Sequence, residues 1–368
     1  MSLFKKSRKK IYLHVGFGKC GSSSIQYFLS QNKNLKNNIG EKMDYMSIIP
    51  PGKVIEQPEI FEQSQIAVRN FINSNFYARP NMLPKDLIRT ISPSMRKELH
   101  DKKNCIFSSE AWLRSFKNED NLNSVLNLFN EKFTCDIEML AVVRSPASWI
   151  NSAWWQWGVW DKNINSFDEW LEKAIVMSNW FNYLSSYCNN PVIKKLRIIT
   201  LDKNLINKLI EFLNLEKRDD YKNKIINFSL NKNFIKALLS VPDYRLAKHK
   251  ERDFFLYNRL VKTFKDYSPS TPWVLNENHL NRIFEKTEKA NLKLLNLLNS
   301  ETKSSIMNNS EWWDLSAFSN KVVSEPYLKD YSLDKDLVSL IYQLFESNKK
   351  GIDFIASKAL QKEFFNFF

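Results

Sequence analysis

The sequence predicts a three-layer α/β/α fold, in which helices cover both faces of a central parallel sheet. Short runs of β-branched and aromatic residues alternate with longer segments at helical spacing. One of these runs, residues 137–143, is apolar almost without interruption, which is typical of a strand buried on both faces. Because strands separated by helices usually pair in parallel, both observations favour the same architecture.

Four strands and the helices that follow them can be placed in the first part of the chain. The predicted strands cover residues 11–16, 104–108, 137–143 and 196–201. The predicted helices cover residues 22–31, 121–133 and 203–213, and Pro146 opens one more. Prolines break the segment 36–100, which we therefore expect to form loops and short helices.

Helical spacing dominates from about residue 230 onward. It extends over residues 233–240, 254–264, 277–298, 335–345 and 352–367. No internal repeat or low-complexity linker divides the chain. We therefore predict a single domain over residues 1–368, with a basic tail at 1–10 and a mainly helical part at about 230–368.

The bulk composition limits the partners and the compartment. A net charge of +14 favours anionic partners, although a lysine-rich solvated surface would give the same number. Four widely separated cysteines without a C-x-x-C pair indicate neither a zinc site nor a disulfide framework, and fit a reducing compartment. The apolar run after the basic tail is too short for a signal peptide, and no window suits a membrane span. We expect a cytoplasmic protein with at most peripheral membrane contact.

The turn between the first strand and the first helix has the composition of a phosphate-binding loop. Glycines let the backbone amides point inward, and the helix start adds a positive dipole end. The candidate ligands are Gly18, Lys19, Cys20, Gly21, Ser22, Ser23 and Ser24. The lysine lies two residues before the last glycine, whereas the ATP and GTP loop places it directly after that glycine. A plain glycine turn capped by serine is the alternative.

A second candidate anion site follows the buried strand. Arg144 comes at the end of the strand and Ser152 lies in the next helix. An arginine at the carboxyl end of a central strand faces the crevice where α/β folds bind ligands, and its planar fork suits a phosphate. A structural salt bridge of the arginine is the alternative.

Together the two motifs resemble the PAPS-dependent sulfotransferase family, of the bacterial and carbohydrate type. Lys-x-Gly-Ser-Ser at residues 19–23 is similar to its 5'-phosphosulfate loop, and Arg144 with Ser152 is similar to its 3'-phosphate site. Gly18 and Cys20 depart from the usual proline and hydroxyl residue. The resemblance implies a P-loop NTPase-like sheet, 3'-phosphoadenosine-5'-phosphosulfate (PAPS) as co-substrate, adenosine 3',5'-bisphosphate as product and no required metal.

The resemblance also implies the catalytic groups. Lys19 would neutralise charge on the bridging oxygen, and Glu110, which ends a Ser-Ser-Glu stretch, would be the base for the acceptor proton. A glutamate that caps a helix is the alternative for Glu110. Ser229, in the stretch 227–230, resembles a residue that closes over the nucleotide, although a helix cap explains it as well.

The histidines and tryptophans are weaker candidates for the same roles. Among the histidines, His14 lies in a predicted strand and fits a packed core group, and His100, His249 and His279 have no supporting motif. Five tryptophans could stack on sugar or adenine rings, yet their helical spacing favours the core. They are Trp149, Trp154, Trp155, Trp157 and Trp160.

The sequence leaves the acceptor open. A saccharide or glycolipid fits the positive charge and the aromatic content best. Other alcohols or amines are the second choice of acceptor. A P-loop kinase-like phosphotransferase lacks the required lysine position and acidic magnesium ligand. An inactive homologue that binds glycans or nucleotides stays open, whereas no motif favours a nucleic-acid partner. The oligomeric state is not predicted.

Overall fold

A computed structural model describes residues 8–49, 53–56, 99, 101–109, 126–127, 130, 134–161, 163–223, 235 and 271–327. The strands are β1 (Lys9–Gly16), β2 (Met43–Ile49), β3 (Lys53–Glu56), β4 (Asn104–Ser109), β5 (Cys135–Val143) and β6 (Ile193–Thr200). The helices are α1 (Ser22–Gln31), α2 (Pro146–Gln156), α3 (Phe167–Met177), α4 (Trp180–Cys188), α5 (Leu205–Phe212), α6 (Glu277–Leu295) and α7 (Ser300–Met307). Short 3-10 turns cover Gly158–Trp160, Ser310–Trp312 and Leu315–Phe318.

The six strands form one sheet in the order β3-β2-β4-β1-β5-β6. Five of them run parallel, and β3 is antiparallel to β2 at the edge. All four predicted strands are therefore present in a parallel sheet with helices, which is consistent with a three-layer α/β fold.

β1 lies at the centre of the sheet, between β4 and β5. After β1 the chain adds β2 and β4 on one side, and after β5 it adds β6 on the other. Ligands of open α/β sheets bind outside the carboxyl ends of the strands, where the strand order reverses. In this sheet that position lies beyond the carboxyl ends of β1 and β5, where Gly16 is in register with Val142.

The expectation of only loops and short helices in residues 36–100 is wrong at its start. β2 pairs in parallel with β4, and β3 folds back on β2. Met43, Tyr45 and Met46 are fully buried there, while the carboxylate of Asp44 is 2.6 Å from Lys42 Nζ. The prolines at 50 and 51 follow β2 and do not interrupt it. Burial of the β2 side chains therefore outweighs the loop-forming tendency that the prolines indicated for this segment.

The helices in the described ranges begin and end close to the predicted positions. α1 matches its predicted range, and α2 begins at Pro146 in the first helical position. α5 and α6 fall within the predicted 203–213 and 277–298. Of the helix predicted at 121–133, residues 126–127 are described and helical, as is residue 235 of the helix predicted at 233–240. The helices predicted at 254–264, 335–345 and 352–367 lie outside the described residues.

The tryptophans of α2 belong to the hydrophobic core. Trp149, Trp154 and Trp155 are at most 2% exposed, which confirms the core interpretation over an exposed stacking platform. Each indole N–H donates to a backbone carbonyl of another segment: Trp149 to Gly18, Trp154 to Pro326 and Trp155 to Pro272. A buried indole needs such an acceptor, so these bonds also fix the position of α2.

Two properties of the described ranges bear on partners. No helix in these ranges is long and apolar enough to cross a membrane. The four cysteines have free thiols, of which Cys20, Cys105 and Cys135 are buried.

Candidate functional site

The predicted phosphate loop leaves β1 at the central switch point of the sheet and enters α1. Lys19 and Gly21 both have positive φ, at 70° and 84°. A Cβ on Gly21 would lie 2.5 Å from Leu205 Cδ2 and 2.8 Å from Leu201 Cδ1, so the position requires glycine for space as well as for conformation. The loop is therefore held in one tight turn against the segment after β6.

The loop residues divide into buried and partly exposed ones. Ser22 and Ser24 are buried, and Lys19, Gly21 and Ser23 are partly exposed. Ser24 N–H donates to Gly21 O at 3.0 Å, which begins the first turn of α1.

Cys20 differs from the other predicted ligands. Its side chain is 0% exposed, and its N–H donates to Phe17 O at 3.1 Å. The Cys20 side chain therefore packs in the hydrophobic core.

Ser22 carries a buried polar atom that has no partner. Its side chain is 1% exposed, and Oγ has no hydrogen bond within the described residues. A Cβ on Gly16 would lie only 2.2 Å from this oxygen, so the hydroxyl packs directly on the end of β1. A buried hydroxyl without a partner is costly, which is the state expected of a group that a ligand later satisfies.

His14 lies near the same point, because a Cβ on Gly16 would also be 3.3 Å from His14 Nε2. The ring is 2% exposed, and Nδ1 is 2.7 Å from Ser108 Oγ on the neighbouring strand β4. Burial lowers the pKa of His14 from 6.5 to about 3, so the ring is neutral at ordinary pH. The prediction of a packed core histidine is confirmed.

The structure brings Arg144 into contact with the phosphate loop. Arg144 Nη1 donates to Lys19 O at 3.4 Å, and Trp149 Nε1 donates to Gly18 O at 2.8 Å. Burial lowers the pKa of Arg144, although an arginine remains charged at any ordinary pH. Two motifs 125 residues apart in the sequence therefore meet at one end of the sheet.

The start of α2 holds a carboxylate that the sequence analysis did not identify. The hydroxyls of Ser145 and Ser148 both donate to Glu311 Oε2, each at 2.9 Å. Ser152, the predicted ligand, lies one turn beyond Ser148 and is partly exposed. Glu311 is 163 residues away from Ser148 in the sequence, so no local pattern could have predicted the contact.

Two predicted site residues, Glu110 and Ser229, lie outside the described residues, as do His100 and His249. Glu110 directly follows Ser109, the last residue of β4. Ser109 is in register with Val15 of β1, so β4 ends at the same edge of the sheet as the phosphate loop.

The remaining histidine has a structural role. His279 Nδ1 accepts from Asn276 N–H at the start of α6, and Nε2 is 3.7 Å from Asp168 Oδ1. His279 thus caps a helix. Within the described residues no cluster of three or more His, Cys, Asp or Glu could hold a metal ion.

A cleft of about 440 Å³ lies at the opposite, amino-terminal edge of the sheet. Among its charged lining groups, Lys10 pairs with Glu138 and Lys103 with Glu41, each at 3.3 Å. The lining also carries Arg8, Lys195 and Glu211, so its charges are mixed and favour no one class of ligand.

Comparison with known proteins identifies no relative of the chain. No model of a known protein family matches the chain, and a search of curated proteins found no match.

Proposed function

We propose that the chain is a PAPS-dependent sulfotransferase with a P-loop NTPase-like fold. The observation that carries the proposal is the contact between the two predicted phosphate motifs. Arg144 Nη1 lies 3.4 Å from Lys19 O, at the carboxyl ends of two adjacent central strands. A nucleotide with one phosphate on the loop and another beside Arg144 can reach both motifs.

The loop offers the 5' end of such a nucleotide a suitable environment. The amide groups at the start of α1 and the hydroxyls of Ser22, Ser23 and Ser24 supply donors, and Lys19 supplies a full positive charge. The unpartnered Ser22 hydroxyl supports this assignment because a bound phosphate oxygen would satisfy it. Arg144 and Ser152 would take the 3'-phosphate, which distinguishes PAPS from ordinary adenine nucleotides.

The reaction needs placement, charge neutralisation and a base. The acceptor oxygen or nitrogen attacks sulfur, and the bond between sulfur and the 5'-phosphate oxygen breaks. Adenosine 3',5'-bisphosphate leaves with the electron pair of that bond, while Lys19 neutralises the developing charge. Glu110, at the end of β4, would take the acceptor proton. No step in this sequence requires a metal ion.

The acceptor is proposed as a saccharide or glycolipid. The basic net charge favours an anionic or membrane-associated partner, and a cytoplasmic enzyme with peripheral membrane contact would meet such acceptors. Mass spectrometry after offering PAPS with a panel of glycans, alcohols and amines identifies the class. A mass increase for one sulfuryl group on a glycan is the expected product.

Nucleotide binding tests the core of the proposal. Calorimetry should give tighter binding of adenosine 3',5'-bisphosphate than of ATP with magnesium. Preference for ATP would instead support a kinase-like phosphotransferase. Binding of the bisphosphate without transfer to any acceptor would support an inactive homologue.

A matched pair of lysine variants tests the chemistry. Lys19→Ala should retain the fold and lower turnover by about a hundredfold or more, since it removes charge stabilisation from the leaving group. Lys173→Ala is the control, because Lys173 is exposed and pairs only with Glu169 at 2.6 Å among the described residues. Equal turnover in the two variants would remove Lys19 from the mechanism.

A further inference from the structure

The amino-terminal end of α2 already holds an anion that belongs to the chain. Both Ser145, at the N-cap, and Ser148, one turn later, donate their hydroxyls to the same oxygen of Glu311. The start of a helix attracts negative charge, and hydroxyl donors add directional bonds. The serines that hold the carboxylate thus lie at the start of the same helix as Ser152, which would take the second phosphate together with Arg144.

The charge of Glu311 also acts on Arg144. Burial lowers the pKa of Arg144, whereas the charges of Cys20 and then of Glu311 oppose that effect. Arg144 also directly precedes Ser145, whose hydroxyl donates to Glu311 Oε2 at 2.9 Å. A phosphate that binds Arg144 would meet this carboxylate, and two anions repel each other in a partly buried site.

The backbone that carries Glu311 is well fixed. Its N–H donates to Asn309 Oδ1 at 3.0 Å, and the next residue, Trp312, is 1% exposed. The indole of Trp313 donates to Ile306 O at 2.8 Å. Because the turn is anchored on both sides of Glu311, a rotation of the Glu311 side chain alone is enough to release the serines.

We propose that Glu311 is a displaceable internal anion that occupies Ser145 and Ser148, beside the phosphate subsite of Arg144 and Ser152, until a ligand phosphate replaces it. This inference rests on the proposed function for the identity of the ligand, a nucleotide with a 3'-phosphate. A nucleotide with a 5'-phosphate alone has no group that displaces Glu311. Glu311 is thereby a specificity-determining residue that disfavours anions too weak to compete with it.

Glu311→Gln separates this role from simple helix capping. Glutamine keeps an oxygen that accepts from Ser145 and Ser148, so the cap can persist, but it removes the competing negative charge. The expected result is binding of adenosine 3',5'-bisphosphate that is about tenfold tighter than in the wild type, the size of effect typical of a nearby charge. Binding of adenosine 5'-monophosphate should change by less than about twofold.

The experiment is calorimetry on the full chain with three probes: the bisphosphate, the monophosphate and inorganic phosphate. Glu288→Gln is the matched control, because Glu288 is exposed on α6 and loses the same charge. Glu311→Ala is the second variant, and it should give the same gain with a less stable fold. A gain in phosphate affinity for Glu311→Gln, but not for Glu288→Gln, is expected.

The outcomes separate the inference from the proposed function. Equal or weaker bisphosphate binding by folded Glu311→Gln overturns the inference and leaves the function standing. An equal gain for the monophosphate also overturns it, because the carboxylate would then oppose the 5' end. If neither nucleotide binds any variant while Glu311→Gln gains phosphate binding, the displaceable anion stands and the sulfotransferase proposal fails.

Discussion

Replacement of His14 by glutamine should change how the stability of the protein depends on pH. His14 is buried against Ser108, and burial lowers its pKa from 6.5 to about 3. Between these two values the unfolded chain binds a proton that the folded chain does not. Stability therefore rises with pH through this window and is fully present above about pH 6.5.

The size of the effect follows from the two pKa values. At pH 4.5 the unfolded state is two pH units below its pKa of 6.5, whereas the folded state is still deprotonated. The cost of His14 at that pH is about 2.7 kcal/mol, and it approaches about 5 kcal/mol below pH 3. At pH 7.5 the cost is close to zero.

Urea unfolding of the wild type and His14→Gln at pH 7.5 and pH 4.5 measures the effect. Carboxylates that titrate in both proteins cancel in the difference. The wild type should lose roughly 2.5 kcal/mol more than the variant between the two pH values. His279→Gln is the control and should differ less, because Asp168 opposes the lowering of the His279 pKa by burial. A wild-type to His14→Gln difference that is constant to within about 0.5 kcal/mol would refute a neutral, desolvated His14.

Three further predictions concern packing and access. Gly158→Ala should destabilise the protein by about 2–3 kcal/mol in urea unfolding, because its Cβ would lie 2.2 Å from Trp154 Cε3; a loss under about 0.5 kcal/mol would show that the indoles can move aside. Gly21→Ala should cost about 1–2 kcal/mol for its left-handed conformation alone and weaken bisphosphate binding in calorimetry, whereas unchanged affinity would separate the turn from the site. Cys105 should resist alkylation in the folded protein while Cys188 reacts slowly. Burial raises the pKa of both thiols, but only Cys188 is partly exposed. Mass spectrometry of peptides distinguishes the two sites, and early labelling of Cys105 would contradict its burial.

Local chemistry made the central strands and their loops predictable. Residues 137–143 are apolar apart from Glu138, and the structure buries the corresponding strand between two neighbours. Glycine at residue 21 and proline at residue 146 each impose a backbone conformation at a helix start, so α1 and α2 begin where the sequence indicates. Each of these features depends on a few adjacent residues.

Features that depend on distant partners were not predictable in the same way. β2 is a short strand with Asp44 inside it, and it is stabilised by pairing with β4 some sixty positions later. The carboxylate of Glu311 has meaning only once Ser145 and Ser148 are brought beside it by the fold. Neither contact could be predicted from one sequence, because no spacing or residue pattern links positions that lie so far apart.

The indole bonds of α2 make this helix a junction between remote parts of the chain. Gly18 in the phosphate loop, Pro272 before α6 and Pro326 near the end of the described residues all accept hydrogen bonds from tryptophans of one helix. Loss of the segment 271–327 would leave two buried indole donors without acceptors and expose one side of the helix. The loop between β1 and α1 and the segment 271–327 should consequently unfold as a single cooperative unit, so that destabilisation of the distal segment also disorders the loop.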